Sequence, residues 1–113
     1  MKNQKIYTLG IETSCDDTAA SILLNDNVLS SVISSQDIHK IYGGVVPELA
    51  SREHQKLITP TVNKAIEESG IEKEQINSIA FTRGPGLLGS LLVGTSFAKS
   101  LSLGLNIPLI EVN

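Results

Sequence analysis

The sequence predicts an α/β domain built on a mixed five-stranded sheet, with the element order β-β-β-α-β-α-β. Three observations lead to this prediction. Short aliphatic segments separated by turn residues fill the first third of the chain, two long segments with helical periodicity follow, and a further aliphatic segment comes after each of them. Strands that are separated by helices are usually parallel neighbours joined by right-handed crossovers.

The first three strands are expected to form an antiparallel meander. Residues 5–12, 18–24 and 28–34 are short segments rich in Ile, Leu and Val, as buried strands usually are. The sequence Asn-Asp-Asn at 25–27 predicts a tight turn, because Asn and Asp tolerate the left-handed backbone that such turns require.

The first helix is expected to begin at Pro47, because proline is favoured at the first helical position and Glu48 suits the positive end of the helix dipole. Gly70 should end the helix after residue 69. Pro60 lies inside it and should kink or split it, because proline lacks the backbone N–H. The predicted buried stripe comprises Ala50, His54, Leu57, Ile58, Thr61, Val62, Ala65 and Ile66.

Residues 76–84 and 107–112 are the fourth and fifth predicted strands, and residues 88–104 are the second helix. This helix is apolar on most sides and rich in small residues, which predicts a buried helix that other backbones approach closely. The element order is that of the ribonuclease H-like lobe of the actin, hexokinase and Hsp70 (ASKHA) superfamily. In that architecture the first hairpin meets the phosphates of a nucleotide, which is an analogy of fold and not of function.

The composition limits the classes of function. The chain has 113 residues, of which 41% are hydrophobic, so it can form one domain with a substantial core. Aromatic residues make up only 4%, and the net charge is −3, which argues against a domain that binds nucleic acid alone. The single cysteine excludes an intramolecular disulfide. With no visible signal peptide or membrane span, we expect a cytoplasmic protein without membrane contact.

The polar run Gly-Ile-Glu-Thr-Ser-Cys-Asp-Asp-Thr at 10–18 follows the first strand directly. It is compatible with a phosphate-binding turn, a metal site, a nucleophile or a plain polar hairpin. Thr13 and Ser14 suit anionic oxygens, because hydroxyl and backbone N–H groups can donate to them. Glu12 and Asp16 would repel a phosphate, so they would act through a cation, a water molecule or a base role.

The cysteine and the two histidines have plainer interpretations. Cys15 has no second cysteine or histidine at ligand spacing, so it is predicted to be a small packing residue rather than a nucleophile or metal ligand. His54 lies on the apolar stripe of the first helix and is predicted to be a packed, hydrogen-bonded histidine, and His39 lies on the loop 35–46. In that loop, the glycines of Tyr-Gly-Gly-Val-Val allow either a close backbone approach or a mobile lid.

The segment Arg-Gly-Pro-Gly-Leu-Leu-Gly-Ser at 83–90 begins the second helix. Helix N-termini attract anions, but a tight strand–helix turn would use the same glycines. No Lys follows at the spacing of a Walker A loop. Direct ligand contact and a structural turn therefore both remain open for this segment.

Four segments together resemble one family. They are LGIETSCDDTAAS (9–21), GGVVPELASREH (43–54), GPGLLGSLLVGTSFAKSLS (84–102) and IPLIEVN (107–113). In order and spacing they are similar to the N-terminal part of the TsaD or Gcp family, the tRNA N6-adenosine threonylcarbamoyltransferases, which older usage calls O-sialoglycoprotein endopeptidases. The resemblance covers nearly the whole chain.

The resemblance implies a transferase that moves a threonylcarbamoyl group from threonylcarbamoyl-adenylate to N6 of adenosine 37 in tRNA. It implies iron or zinc beside the adenylate. It also implies a TsaB-like paralogue that packs on helices 47–69 and 88–104, a TsaE-like ATPase, and tRNA bound by the full complex. Glu12, Thr13, Ser14 and Asp16 would then lie on the adenylate side of the site.

One departure from the family pattern matters. The family's metal-binding His-x-x-x-His follows a strand that ends in Val-Asn, whereas this sequence ends at Asn113. We therefore expect residues 1–113 to be the N-terminal lobe of a longer protein, without metal ligands, inactive alone and prone to self-association. The alternatives are a non-catalytic TsaB-like scaffold and a sugar or acetate kinase of the same superfamily.

Overall fold

The computed structural model describes residues 4–113, apart from the side chain of Asp37, so the first three residues of the predicted lobe 1–113 lie outside the described part. It confirms the predicted element order. The strands are β1 (Tyr7–Glu12), β2 (Asp17–Leu24), β3 (Asn27–Ser35), β4 (Ser78–Thr82) and β5 (Leu109–Val112), and the α-helices are α1 (Pro47–Ser69) and α2 (Leu88–Leu105). Short 3-10 helices span Asp37–Tyr42 and Lys73–Gln75.

The five strands form one mixed sheet in the order β3-β2-β1-β4-β5. The first three strands are the predicted antiparallel meander, and β4 and β5 are added in parallel to β1. The meander turns at Asn25, whose φ of +53° is the left-handed conformation that Asn tolerates. Since β1, β4 and β5 are parallel, their carboxyl ends meet at one edge of the sheet.

The core lies between one face of the sheet and both helices. Because side chains alternate along a strand, every second residue faces the helices. The core cluster comprises Leu9, Ile11, Ala20, Ile22, Val32, Ile58, Val62, Ala65, Ile76, Ile79, Phe81 and Ala98. The opposite sheet face carries small residues at its centre and is open in the described structure, where Gly10, Ala19 and Ala80 help to line a shallow groove of 280 Å³.

Helix α1 begins and ends where the sequence predicts. Pro47 occupies its first turn, and Gly70 ends it with a φ of +81° and an N–H that donates to the Glu67 carbonyl. The expected split at Pro60 is wrong, because α1 is one helix from Pro47 to Ser69. Pro60 lies on the exposed side, where water can hydrate the carbonyl that loses its intrahelical partner.

The segment 35–46 is more ordered than the predicted loop. Ser35 still belongs to β3, and a 3-10 helix follows. Gly43 ends that helix at a φ of +75°, a conformation that side chains with a Cβ rarely adopt. A Cβ at Gly43 or Gly44 would meet nothing within 4 Å, so neither glycine serves a close backbone approach.

Helix α2 is long and apolar enough to span a membrane by length and composition alone, with a mean hydropathy of 1.3. A core helix of a soluble protein passes the same test. Here Leu91, Gly94 and Ala98 form a buried stripe, and Ala98 belongs to the hydrophobic core. Only 22% of the helix is buried, so packing against the sheet and α1 explains this stripe alone, and the expectation of a helix buried on most sides is wrong. Leu88, Leu92 and Leu103 are exposed in the described structure.

Candidate functional site

The polar hairpin between β1 and β2 lies at the sheet edge where the parallel strands end. β1 ends at Glu12 and β4 ends at Thr82. Ligands of open α/β sheets bind outside the carboxyl ends of such strands. The hairpin residues 13–16 and the turn 83–87 leave the sheet side by side at this edge.

Glu12 and Ser14 are hydrogen-bonded to each other at the start of the hairpin. The Ser14 backbone N–H donates to one Glu12 carboxylate oxygen at 2.7 Å, and the Ser14 hydroxyl donates to the other at 2.5 Å. The hydrogen of this hydroxyl is therefore already in use. A ligand oxygen that needs a donor must compete with Glu12 for it.

Thr13 faces the protein interior. Its hydroxyl donates to the Ser90 carbonyl at 2.7 Å and accepts from the Gly94 N–H at 3.2 Å, and the residue is only 2% exposed. The approach is so close that a Cβ at Gly94 would lie 2.6 Å from the Thr13 hydroxyl oxygen. Thr13 thus fastens the end of β1 to the first turns of α2.

The turn 83–87 packs directly on the hairpin. The Leu87 N–H donates to the Ser14 carbonyl at 2.8 Å, and a Cβ at Gly86 would lie only 2.5 Å from the same oxygen. Glycine at this position is therefore a packing requirement. Within the described residues this favours the structural interpretation of the turn, which holds Ser14 beside the start of α2.

His54 joins α1 to the far side of the hairpin, as the sequence predicts for a packed and hydrogen-bonded histidine. It is fully buried. Its Nε2 lies 2.7 Å from the Cys15 carbonyl oxygen, and its Nδ1 lies 2.7 Å from the Thr18 hydroxyl. Because a carbonyl oxygen only accepts, Nε2 carries a hydrogen, and in the neutral ring Nδ1 accepts from Thr18.

Cys15 contradicts its predicted packing role, because it is exposed. Its main-chain carbonyl is the group that binds His54, and the thiol is left at the surface. Partial desolvation, and next the negative charge of Asp16, raise the pKa of the Cys15 thiol above its ordinary value. The thiolate needed for nucleophilic attack is thus disfavoured at neutral pH.

Asp16 and Asp17 line an open cleft of 510 Å³ between the hairpin and the 3-10 segment. The other wall includes His39 and Lys40, which the sequence did not single out as site residues. Glu12 lines the shallow groove on the open sheet face instead. The structure therefore brings Ser14 to Glu12, places Asp16 on the cleft, and turns Thr13 inward.

A hydrogen-bond chain holds the second wall of the cleft on α1. The Val46 N–H donates to His39 Nδ1 at 3.0 Å, so His39 Nε2 carries the hydrogen that is donated to the Gln36 side-chain oxygen at 2.6 Å. The Gln36 amide nitrogen then donates to the Ala50 carbonyl at 3.2 Å. No sequence pattern predicts these contacts, because each partner is set by the path of the loop.

The residues present do not fit a metal centre. Among residues 4–113 no group of three or more His, Cys, Asp and Glu side chains lies close enough to hold an ion. Both ring nitrogens of His39 and of His54 are occupied by hydrogen bonds. The described residues by themselves therefore do not form a metal-binding site.

Comparison with known proteins agrees with the resemblance drawn from the motifs. Residues 27–113 match the family model described as TsaD: tRNA N6-adenosine threonylcarbamoyltransferase. A protein of that name from Christiangramia forsetii is 62% identical over 113 residues, which are 100% of this chain and 33% of that protein. Another from Porphyromonas gingivalis is 67% identical over 108 residues, 96% of this chain and 32% of that protein.

Among solved structures, YeaZ from Pseudomonas aeruginosa has a TM-score of 0.75 at 23% sequence identity, covering 96% of this chain and 44% of that one. At this identity the likeness shows the fold alone, and it agrees with the predicted α/β lobe built on a mixed five-stranded sheet. The chain spans about a third of the length of the curated relatives that it matches. It belongs to the TsaD family of tRNA N6-adenosine threonylcarbamoyltransferases.

Proposed function

We propose that this chain is the N-terminal lobe of an enzyme that transfers threonylcarbamoyl from threonylcarbamoyl-adenylate to N6 of adenosine 37 in tRNA. The identity of 62% along the entire chain with a protein of that name carries the proposal. The full enzyme acts in the cytoplasm, where tRNA is modified. This lobe alone is inactive, because it corresponds to only 33% of that relative.

In this proposal the hairpin 12–16 forms one wall of the adenylate site. The first turn of α2 lies beside Ser14, and unpaired N–H groups at a helix start favour an anionic group such as the adenylate phosphate. Ser14 can turn its hydroxyl from Glu12 to such an anion. Asp16 faces the cleft, and its negative charge requires a donor, a cation or a water between it and a phosphate.

The iron or zinc of the full enzyme is proposed to bind to residues that follow Asn113, in the family's His-x-x-x-His. When bound, such an ion would act as a Lewis acid beside the adenylate. The residues of this chain would contribute the shape and the hydrogen bonds of one wall. Their own chemistry is to orient the adenylate and to limit the access of water.

The outer surface of α1 and α2 is the proposed docking site for a TsaB-like paralogue. A groove of 370 Å³ runs between the helices, lined by Ile58, Leu92 and Phe97 among others. Leu92 is 53% exposed and Leu88 is 74% exposed, which leaves apolar area for helix-on-helix packing.

The TsaE-like ATPase and the tRNA are proposed to bind to the full complex. The net charge of −3 supplies little of the positive surface that phosphates need. Apolar side chains such as Ile33, which is 63% exposed on the open sheet face, predict that the isolated chain self-associates.

The test is to reconstitute tRNA modification with the full-length protein, its TsaB-like and TsaE-like partners, tRNA, ATP, and threonylcarbamoyl-adenylate that carries a label in its threonyl group. We expect labelled threonine in tRNA with the full-length protein and none when residues 1–113 replace it. Turnover by the isolated lobe would refute its inactivity. If the full-length protein is inert but stimulates a separate transferase, the scaffold alternative replaces this proposal.

A further inference from the structure

We propose that His54 is a positioning residue that sets the direction of the Asp16 carboxylate at the adenylate wall. The inference rests on the proposed function of the hairpin. It assigns a role in substrate binding to a buried side chain that is remote in sequence from the predicted site residues. His54 does not contact the substrate in this proposal, since it acts through the backbone of the hairpin.

The hydrogen bonds of His54 bracket the tip of the hairpin. One goes to Cys15 and the other to Thr18, each at 2.7 Å, so the two residues between them, Asp16 and Asp17, lie between fixed points. These are the two carboxylates that line the 510 Å³ cleft. A short segment with both ends anchored has few backbone conformations, and its side chains keep a constant direction.

The hairpin is held differently on its two sides. On the α2 side, Thr13 and Ser14 are fixed by hydrogen bonds to Ser90, Gly94 and Leu87. On the α1 side, both hydrogen bonds recorded between the described residues 14–18 and the helix come from His54. His54 and Thr18 are fully buried, so water does not readily replace the bond to the Thr18 hydroxyl when an apolar side chain of similar volume takes the place of the ring.

Three substitutions of His54 separate its two bonds. His54→Gln places an amide N–H near the position of Nε2 and retains the bond to Cys15. His54→Asn places an amide near Nδ1 and retains the bond to Thr18. His54→Leu fills much of the volume and retains neither, while Thr18→Val removes only the hydroxyl at nearly constant shape.

The experiment uses full-length enzyme with its partner proteins and measures KM for threonylcarbamoyl-adenylate, kcat, and amide hydrogen exchange at residues 15–17. A displacement of about 1 Å at a site can cost up to about 100-fold. We expect His54→Leu to lower kcat/KM by about 10- to 100-fold, mainly through KM, with faster exchange at the tip. His54→Gln should restore kcat/KM to within about threefold of wild type.

The control for lost stability is Val62→Ala, two helical turns further along α1, where a 2% exposed core side chain is shortened. Its KM should stay near that of wild type although the thermal midpoint falls. Equal changes in KM for Val62→Ala and His54→Leu would overturn the proposal. If His54→Leu does not fold, an unchanged KM in both His54→Asn and Thr18→Val would also overturn the proposal.

Two further variants separate this inference from the proposed function. Ser14→Ala and Asp16→Asn alter the wall itself. If neither changes KM for threonylcarbamoyl-adenylate, the hairpin is not an adenylate wall and the proposed function of this segment fails. If either raises KM while all His54 variants match wild type, the wall stands and the positioning role of His54 fails.

Discussion

Replacing Gly94 by Ala in α2 should destabilise the chain strongly, because the new methyl group has no room. Its Cβ would lie 2.6 Å from the Thr13 hydroxyl oxygen and 3.5 Å from a methyl carbon of Ile11. Thr13 cannot move away without losing its buried bonds to Ser90 and Gly94. Gly94→Ala therefore combines overpacking with broken hydrogen bonds.

The size of the effect follows from these terms. Overpacking a core costs about 1–3 kcal/mol, and each buried polar group left without a partner costs about 1–3 kcal/mol. Alanine gains about 1 kcal/mol over glycine in a helix. We expect the free energy of unfolding of Gly94→Ala to fall by about 1–5 kcal/mol, measured by urea unfolding with circular dichroism.

Two comparisons make this prediction decisive. Gly104 lies in the same helix with nothing within 4 Å of its Cβ position, so Gly104→Ala should stabilise by up to about 1 kcal/mol. In a Thr13→Ala background the loss caused by Gly94→Ala should shrink by at least about 1 kcal/mol, because the clashing oxygen is absent. Equal midpoints for the two glycine variants, or an unchanged loss in the Thr13→Ala background, would refute the reasoning.

Two further predictions concern the hairpin. The rate of Cys15 alkylation should reach half its maximum at a pH above about 8.5, the ordinary pKa of a thiol, because partial desolvation and then Asp16 raise the pKa of the Cys15 thiol. Asp16→Asn should move this midpoint to lower pH. A midpoint below the ordinary value would contradict the raised pKa. Gly86→Ala should destabilise the chain by about 1–3 kcal/mol in urea unfolding, because its Cβ would lie 2.5 Å from the Ser14 carbonyl oxygen. Gly84→Ala is the matched control, because its Cβ would meet nothing within 4 Å, and the free energy of unfolding should change little.

The order of elements could be predicted because its signals are local. The turn at Asn25, the proline that begins α1 and the glycine that ends it act on neighbouring backbone angles, and each is found where the sequence predicts it. His54 was recognisable as a packed residue from its place on an apolar stripe. Helical and strand periodicity report such burial directly.

The directions of the hairpin side chains could not be predicted, because their partners are distant in sequence. Thr13 and Ser14 have similar hydroxyls and were given the same expected role. The fold binds Thr13 to Gly94, 81 residues away, and leaves the hydroxyl of Ser14 on Glu12 at the surface. Cys15 is exposed for the same reason, since its carbonyl is drawn toward His54.

The sequence by itself determined the α/β order of this chain, the ends of its helices and its family, because periodicity, turn residues and motif spacing act over short stretches. The tertiary structure decided that Pro60 is accommodated in one helix, that Glu12 and Asp16 line separate cavities, and that buried histidines hold both cleft walls on α1. These outcomes depend on which distant groups meet when the sheet and helices pack, and hydrogen-bond partners and clashes are defined only then.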